Sequence, residues 1–125
     1  GDAATIVTYG NAVHISLMAA DELAKEGIKV EVIDLRSIVP WDKDMVYKSV
    51  KKTGRLLIAH EDRVFGGFGG EIASDVSENL FKYLDAPVQR IGSKNTPVGF
   101  AKTYETAILL NSTDVIENVR KLVKF

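Results

Sequence analysis

Three ionisable side chains stand side by side near the middle of the chain, where a short apolar segment gives way to a glycine-rich turn. They are His60, Glu61 and Asp62, and glycines follow at positions 66, 67, 69 and 70. A histidine beside a carboxylate can work as a general acid or base, because the carboxylate orients the imidazole and raises its pKa. Glycines after a strand let backbone N–H groups approach a phosphate. The segment therefore indicates two kinds of chemistry, proton transfer and anion binding.

Neither kind of chemistry has a complete set of residues. The glycines do not form the G-x-G-x-x-G pattern of dinucleotide sites, and the chain has no G-x-x-x-x-G-K-S/T phosphate loop. No serine or threonine carries a nucleophile signature, and the absence of cysteine excludes thiolate chemistry. A tight strand-to-helix turn explains the glycines more simply. We therefore expect no catalytic, cofactor-binding or metal-ligating residue here, with a free-standing nucleotide- or anion-binding module as the alternative.

The elements that position these groups lie between residues 55 and 84. The apolar run before His60 does not alternate, which predicts a strand buried on both faces in the middle of a parallel sheet. From Ile72, apolar residues at 76, 80 and 84 predict a helix that reaches Leu84, with Phe81 beside its apolar stripe. Ligands meet open α/β sheets at the carboxyl ends of strands, so the turn between these elements is where function is expected.

Strands and helices alternate along the rest of the chain. We predict strands over 5–9, 28–35 and 88–91, and helices over 12–26, from Asp42 to Gly54, and from Thr113 or Asp114 onward. The strand over 28–35 alternates and should lie nearer an edge. In the first helix the core-facing positions are predicted to be Val13, Leu17, Ala20 and Ala24, and in the second Met45, Val46 and Val50. The pattern predicts an α/β fold of three α/β/α layers around a mostly parallel sheet of about four strands.

Composition narrows the class of protein. A length of 125 residues, with 46% apolar and 26% charged residues, predicts one domain over residues 1–125. The net charge of −1 argues against a nucleic-acid partner, and no apolar run approaches the roughly 18 residues of a membrane span. We expect a cytoplasmic protein, or one of the mitochondrial matrix in a eukaryote. A strand almost at the first residue suggests that the chain is part of a longer one.

Two further features of the sequence concern its surface. A basic cluster formed by Lys48, Lys51, Lys52 and Arg55 is interpreted as favourable charge at a helix C-terminus on a solvated face. Large rings stand in two predicted turns, at Trp41 and Phe68, where each must fold back onto the core or meet a partner. We keep Phe68 as a candidate for a partner interface.

Three strings carry a resemblance to a known family. They are VEVIDLRSIVPWD at 30–42, KTGRLLIAHE at 52–61 and GGFGGEI at 66–72. The sequence resembles the C-terminal domain of the β subunit of thiamine-diphosphate-dependent 2-oxoacid dehydrogenases, the decarboxylating components of pyruvate, branched-chain 2-oxoacid and acetoin dehydrogenase complexes. The resemblance covers essentially the whole chain, and it departs from many members at Gly99, where a second proline is common. A transketolase or deoxyxylulose-phosphate synthase of the same fold is the alternative.

The resemblance implies a transketolase C-terminal-type fold and a role in assembly. In this family thiamine diphosphate and Mg²⁺ lie between two other domains, the pyrimidine-binding and pyrophosphate-binding ones. This domain is thus implied to bind neither and to be inactive alone. The full enzyme decarboxylates a 2-oxoacid and acylates a lipoyl group. The implied partners are the remaining domains of the enzyme, its partner subunit and the subunit-binding domain of the acyltransferase.

The resemblance also implies roles for particular residues. The end of the β subunit takes part in docking on the acyltransferase in some members, so the ring and terminal carboxylate of Phe125 are expected to contact it. His60, Glu61 and Arg63 are expected to border the channel through which substrate or the lipoyl arm enters. None of these three is expected to perform the chemistry.

Overall fold

Parallel strands form a single sheet with helices on both faces, in a computed structural model that describes residues 1–36, 40–63, 68–93 and 110–125. The strands are β1 (Ala4–Thr8), β2 (Val30–Asp34), β3 (Leu56–Arg63) and β4 (Gln89–Ser93). The helices are α1 (Ala12–Lys25), α2 (Lys43–Thr53), α3 (Gly69–Asn79) and α4 (Ser112–Leu122), with a short 3₁₀ turn at Phe81–Tyr83. The strand order is β2-β1-β3-β4, and every pairing is parallel. The three-layer α/β prediction is confirmed.

The centre of the sheet is apolar on both sides. Leu57 and Ala59 of β3 face α1 and α4, whereas Leu56 and Ile58 face α2 and α3, and all four side chains are fully buried. A strand covered on both faces has no need of alternating polarity, which is why its sequence is a continuous apolar run. The prediction that β3 lies in the centre of the sheet is confirmed, and so is the prediction that β2 lies near its side, since β2 is the outermost strand in the order.

Local signals set the ends of α2. The side chain of Asp42 accepts a hydrogen bond from the backbone N–H of Met45 at 3.0 Å, which satisfies one of the free donors of the first turn. Gly54 ends the helix in the left-handed conformation, with φ of 73°, which costs glycine little. Both predictions are confirmed. The predicted inward position of Met45 is wrong, because its side chain is half exposed.

Three other helix predictions are corrected. The buried positions of α1 are Ala12, Ser16, Ala19 and Leu23, one residue before each predicted position. α3 ends at Asn79, and Phe81 is 75% exposed on the 3₁₀ turn. α4 is capped by Asn111, whose side chain accepts from the N–H of Asp114 while the Asp114 carboxylate accepts from the N–H of Asn111. Asp114 therefore belongs to the cap as its third helical residue.

No helix within the described ranges is both long enough and apolar enough to cross a membrane.

Candidate functional site

His60 lies inside the sheet. It is a residue of β3, its side chain is fully buried, and its ring stacks on that of Tyr9 with the centroids 5.8 Å apart and the planes 13° apart. The expectation that His60 belongs to the polar turn is therefore wrong, because β3 continues through Arg63. Glu61 is half-buried in the same strand. The role of His60, Glu61 and Arg63 along a channel in a complete enzyme stays a prediction.

Three rings meet at the carboxyl edge of the sheet, the edge at which β1 and β3 end. Phe68 packs edge-on against Tyr9, with ring centroids 6.4 Å apart, and the ring of His60 stacks on the face of the Tyr9 ring. The chain leaves β1 toward β2 on one side and β3 toward β4 on the other, so this is the switch point where open α/β sheets bind ligands. Phe68 is half-buried against the core. A role for Phe68 in an interface stays a prediction.

The start of α3 fits closely under these rings. A Cβ atom added at Gly69 would lie 2.8 Å from ring atoms of His60 and 3.0 Å from Cγ2 of Ile58. Only glycine allows the helix to approach β3 so closely. Part of the glycine-rich turn, residues 64–67, lies outside the described residues. Within the described part of the chain, no three His, Asp or Glu side chains converge as metal ligands would.

Polar contacts close the amino edge of the sheet, the edge at which the strands begin. The Thr5 hydroxyl lies 2.7 Å from that of Ser49 and 2.8 Å from that of Thr53, and all three side chains are buried. The Thr53 hydroxyl also donates to the backbone oxygen of Arg55 at 3.1 Å. These bonds join β1 to the last turn of α2 at the point where the chain enters β3.

A charged pair extends this network to β2. The ammonium of Lys52 donates to the Glu31 carboxylate at 2.6 Å. The hydrogen bond from Lys52 is the main reason that the pKa of Glu31 is lowered, and a hydrogen bond with Ser49 lowers it further. Lys52, one member of the basic cluster, therefore has a specific partner in Glu31.

Arg55 joins both ends of the described chain at this edge. Its Nε donates to the backbone oxygen of Leu122 at 3.0 Å, its Nη2 to that of Phe125 at 3.1 Å, and its Nη1 to that of Ala3 at 3.5 Å. The interpretation of Arg55 as solvated charge at the end of α2 is therefore wrong, since it is half-buried and binds the end of α4. The partners lie 52 to 70 residues away along the chain, so no local signal could have revealed them.

Phe125 combines a fixed backbone with an exposed ring. Besides the bond from Arg55 to its oxygen, its N–H donates to the oxygen of Leu122 at 3.2 Å. The side chain is 65% exposed. The ring therefore projects from a backbone that is held at two points.

A separate contact ties α2 to α3. The Tyr47 hydroxyl donates to the Asp75 carboxylate, which also accepts from Lys43 at 3.4 Å. Burial, and then the hydrogen bond to Asp75, raise the pKa of Tyr47 to about 12. Trp41 is buried in the core beside these residues, with the Lys43 ammonium 5.5 Å from its ring centroid. The ring of Trp41 thus folds back onto the core.

Comparisons with known proteins agree with this architecture. The family profile described as transketolase, C-terminal domain, matches residues 1–115. The β subunit of the pyruvate dehydrogenase E1 component of Rickettsia felis is 45% identical over 98% of this chain and 37% of the relative. The mitochondrial 2-oxoisovalerate dehydrogenase subunit β2 of Arabidopsis thaliana is 40% identical over 100% of this chain and 34% of the relative.

A solved structure, a split-gene transketolase in an inactive β4 tetramer, superposes with a TM-score of 0.79 and 31% identity. The superposition covers 99% of this chain and 39% of that one. The chain thus spans somewhat more than a third of the length of the curated relatives named above.

Proposed function

Because the chain belongs to the transketolase C-terminal domain family, we propose that it is the C-terminal domain of the β subunit of a thiamine-diphosphate-dependent 2-oxoacid dehydrogenase. The observation that carries the proposal is the pattern of similarity. The two relatives named above match 98% and 100% of the chain while the chain covers 37% and 34% of them, as expected when one domain of a longer subunit is compared. The full enzyme would decarboxylate a 2-oxoacid and transfer the acyl group to a lipoyl arm.

The domain itself serves assembly in this proposal. We propose that thiamine diphosphate and Mg²⁺ are held by other domains of the enzyme, because no three His, Asp or Glu side chains among the described residues converge as ligands for the metal. We therefore derive no step of the decarboxylation from this chain. Its contacts go to the remaining domains of the enzyme, to the partner subunit and to the acyltransferase.

Activity measurements test the assignment of the reaction. The β subunit assembled with its partner subunit should decarboxylate a 2-oxoacid and reduce a soluble electron acceptor. The 125-residue domain alone should catalyse neither reaction. Turnover by the isolated domain would contradict the assembly role. The solved transketolase structure favours one competing reaction, transfer of a two-carbon unit from a ketose phosphate. The same assembled enzyme should be assayed with both substrate classes, and activity on the ketose phosphate alone would replace the 2-oxoacid assignment.

Docking is assigned to the end of α4. Phe125 presents an exposed aromatic ring, the kind of side chain that anchors protein interfaces when it enters a pocket. We propose that this ring contacts the subunit-binding domain of the acyltransferase. Calorimetric titration of the assembled enzyme with that domain should show affinity lowered at least about tenfold by Phe125→Ala, as for an interface anchor. The matched control is Phe81→Ala, which removes the exposed ring of the 3₁₀ turn; equal affinity for all three proteins would refute the docking role.

A further inference from the structure

Two exposed phenylalanines differ in how their backbones are held. Phe81 is 75% exposed and Phe125 is 65% exposed, so neither ring stabilises the domain much by burial. Phe81 lies in a 3₁₀ turn held by bonds between close neighbours in the sequence, such as the one from Leu84 to its oxygen. Phe125 is bound across the fold by Arg55, which lies 70 residues away. The ring of Phe125 is therefore exposed on a backbone that is itself bound across the fold.

The geometry of Arg55 is well suited to holding the end of α4 in place. The last carbonyl groups of a helix lack partners within the helix, and the end of the helix carries partial negative charge. Arg55 donates from its Nε to the oxygen of Leu122, the last residue of α4, and from Nη2 to the oxygen of Phe125. Nη1 reaches Ala3 just before β1, so the guanidinium bridges the end of α4 and the start of the sheet. The donors of a guanidinium are spread over three nitrogen atoms in one plane, so the group can reach three acceptors that lie apart.

We propose that Arg55 is a positioning residue that holds the Phe125 ring ready for the acyltransferase subunit-binding domain. The inference rests on the proposed docking function and adds the residue that controls it. Binding fixes the segment that carries Phe125, and the entropic cost of that ordering falls when the segment is already held in its bound conformation. Arg55 reduces this cost without touching the partner.

The test uses the β subunit assembled with its partner subunit, titrated calorimetrically with the isolated subunit-binding domain. Arg55→Met should weaken binding about tenfold, and Arg55→Lys by a smaller factor, because an ammonium keeps the charge and some donors but has them all on one nitrogen. Arg120→Met is the matched control: Arg120 lies on α4, is half exposed and pairs with Glu26, and its loss should leave the affinity unchanged. Decarboxylation measured with a soluble electron acceptor should be equal in all variants.

A double-mutant cycle separates positioning from a general structural role. If Arg55 acts through Phe125, then Arg55→Met added to Phe125→Ala should cause no further loss of affinity. Losses that add fully would overturn the proposal, and so would unchanged affinity in Arg55→Met when Phe125→Ala weakens binding. If Arg55→Met fails to assemble, the same cycle is run with Arg55→Lys. Unchanged affinity in Phe125→Ala alone would instead refute the docking function on which the inference rests.

Discussion

The two edges of the sheet are closed by different kinds of contact. At the amino edge, hydroxyl groups, a carboxylate and a guanidinium form directed hydrogen bonds among β1, β2, α2 and α4. At the carboxyl edge, the rings of Tyr9, His60 and Phe68 pack against one another and against the start of α3. The described contacts beside β1 and β3 at the carboxyl edge are thus between rings, whereas the opposite edge holds the polar network and the exposed Phe125.

The contrast between the two edges bears on the proposed role in assembly. A hydrogen-bonded amino edge can fix the position of Phe125, the side chain to which docking is assigned in the proposal. Four substitutions test the comparison, each at one edge.

The largest expected effect is at the carboxyl edge. Gly69→Ala places a Cβ atom 2.8 Å from the ring of His60, which is buried and cannot move aside cheaply. We expect the free energy of unfolding to fall by about 2 kcal/mol, in the range for overpacked cores. Urea unfolding followed by circular dichroism measures it. Gly70→Ala is the control, because its Cβ would meet only the flexible end of Arg90, and an equal loss in both variants would contradict the packed edge.

The next effect is at the amino edge. Thr5→Val keeps the shape of a buried side chain but removes the hydroxyl shared by Ser49 and Thr53. Thr53 still donates to the Arg55 oxygen, so the loss in unfolding free energy should be about 1 kcal/mol. Thr5→Ser, which keeps the hydroxyl, is the matched control in the same urea titration. If the serine variant were the less stable of the two, the methyl group and not the hydroxyl network would carry the stability.

A smaller effect, of opposite sign, is expected three residues along the same strand. The Thr8 hydroxyl is fully buried and has no hydrogen-bond partner among the described residues. A buried hydroxyl without a partner is destabilising, so Thr8→Val should raise the free energy of unfolding by about 0.5 kcal/mol. Urea titrations of Thr8→Val and Thr5→Val in one buffer give the comparison directly. A loss of stability in Thr8→Val as large as in Thr5→Val would remove the distinction between the edges.

The smallest expected effect is on the stability of the domain at low pH. The pKa of Glu31 is lower in the folded protein than in the unfolded chain, chiefly through Lys52, so its contribution is present above the unfolded pKa. That contribution is lost as the pH falls through the lower, folded pKa. We therefore expect Glu31→Gln to flatten slightly the fall in melting temperature below about pH 4.5, the usual range of a glutamate. Melting curves between pH 7 and pH 3 measure it; a steeper fall in the variant would contradict this sign.

Much of the architecture could be predicted from local sequence signals. The non-alternating run of β3, the cap at Asp42 and the stop at Gly54 each reflect physics that acts within a few residues, and each is confirmed. The buried face of α1 was wrong by one residue because a polar residue, Ser16, lies in the core while Leu17 is half exposed. In an alanine-rich helix, apolar periodicity distinguishes neighbouring faces poorly.

The candidate site depended on contacts that no local pattern specifies. His60 was placed in a turn because charged neighbours follow it, but strand pairing continues and buries the ring beside Tyr9. The sequence indicates that Arg55 belongs to a solvated basic cluster. In the structure it instead binds carbonyl groups at residues 122 and 125, which lie far along the chain. Family resemblance supplied what periodicity could not, namely the type of enzyme to which the chain is similar.

The strand order also has a consequence for how the chain folds during synthesis. β1 is made first, and it pairs with β2 on one side and with β3 on the other, where Thr5 stands opposite Leu56. Until residues 56–59 have left the ribosome, one side of a fully buried strand lacks its neighbour. Such an unpaired apolar border invites association between nascent chains, and pairing over so long a separation is slow. Translation pauses placed before residue 56 should therefore increase aggregation more than pauses placed after it.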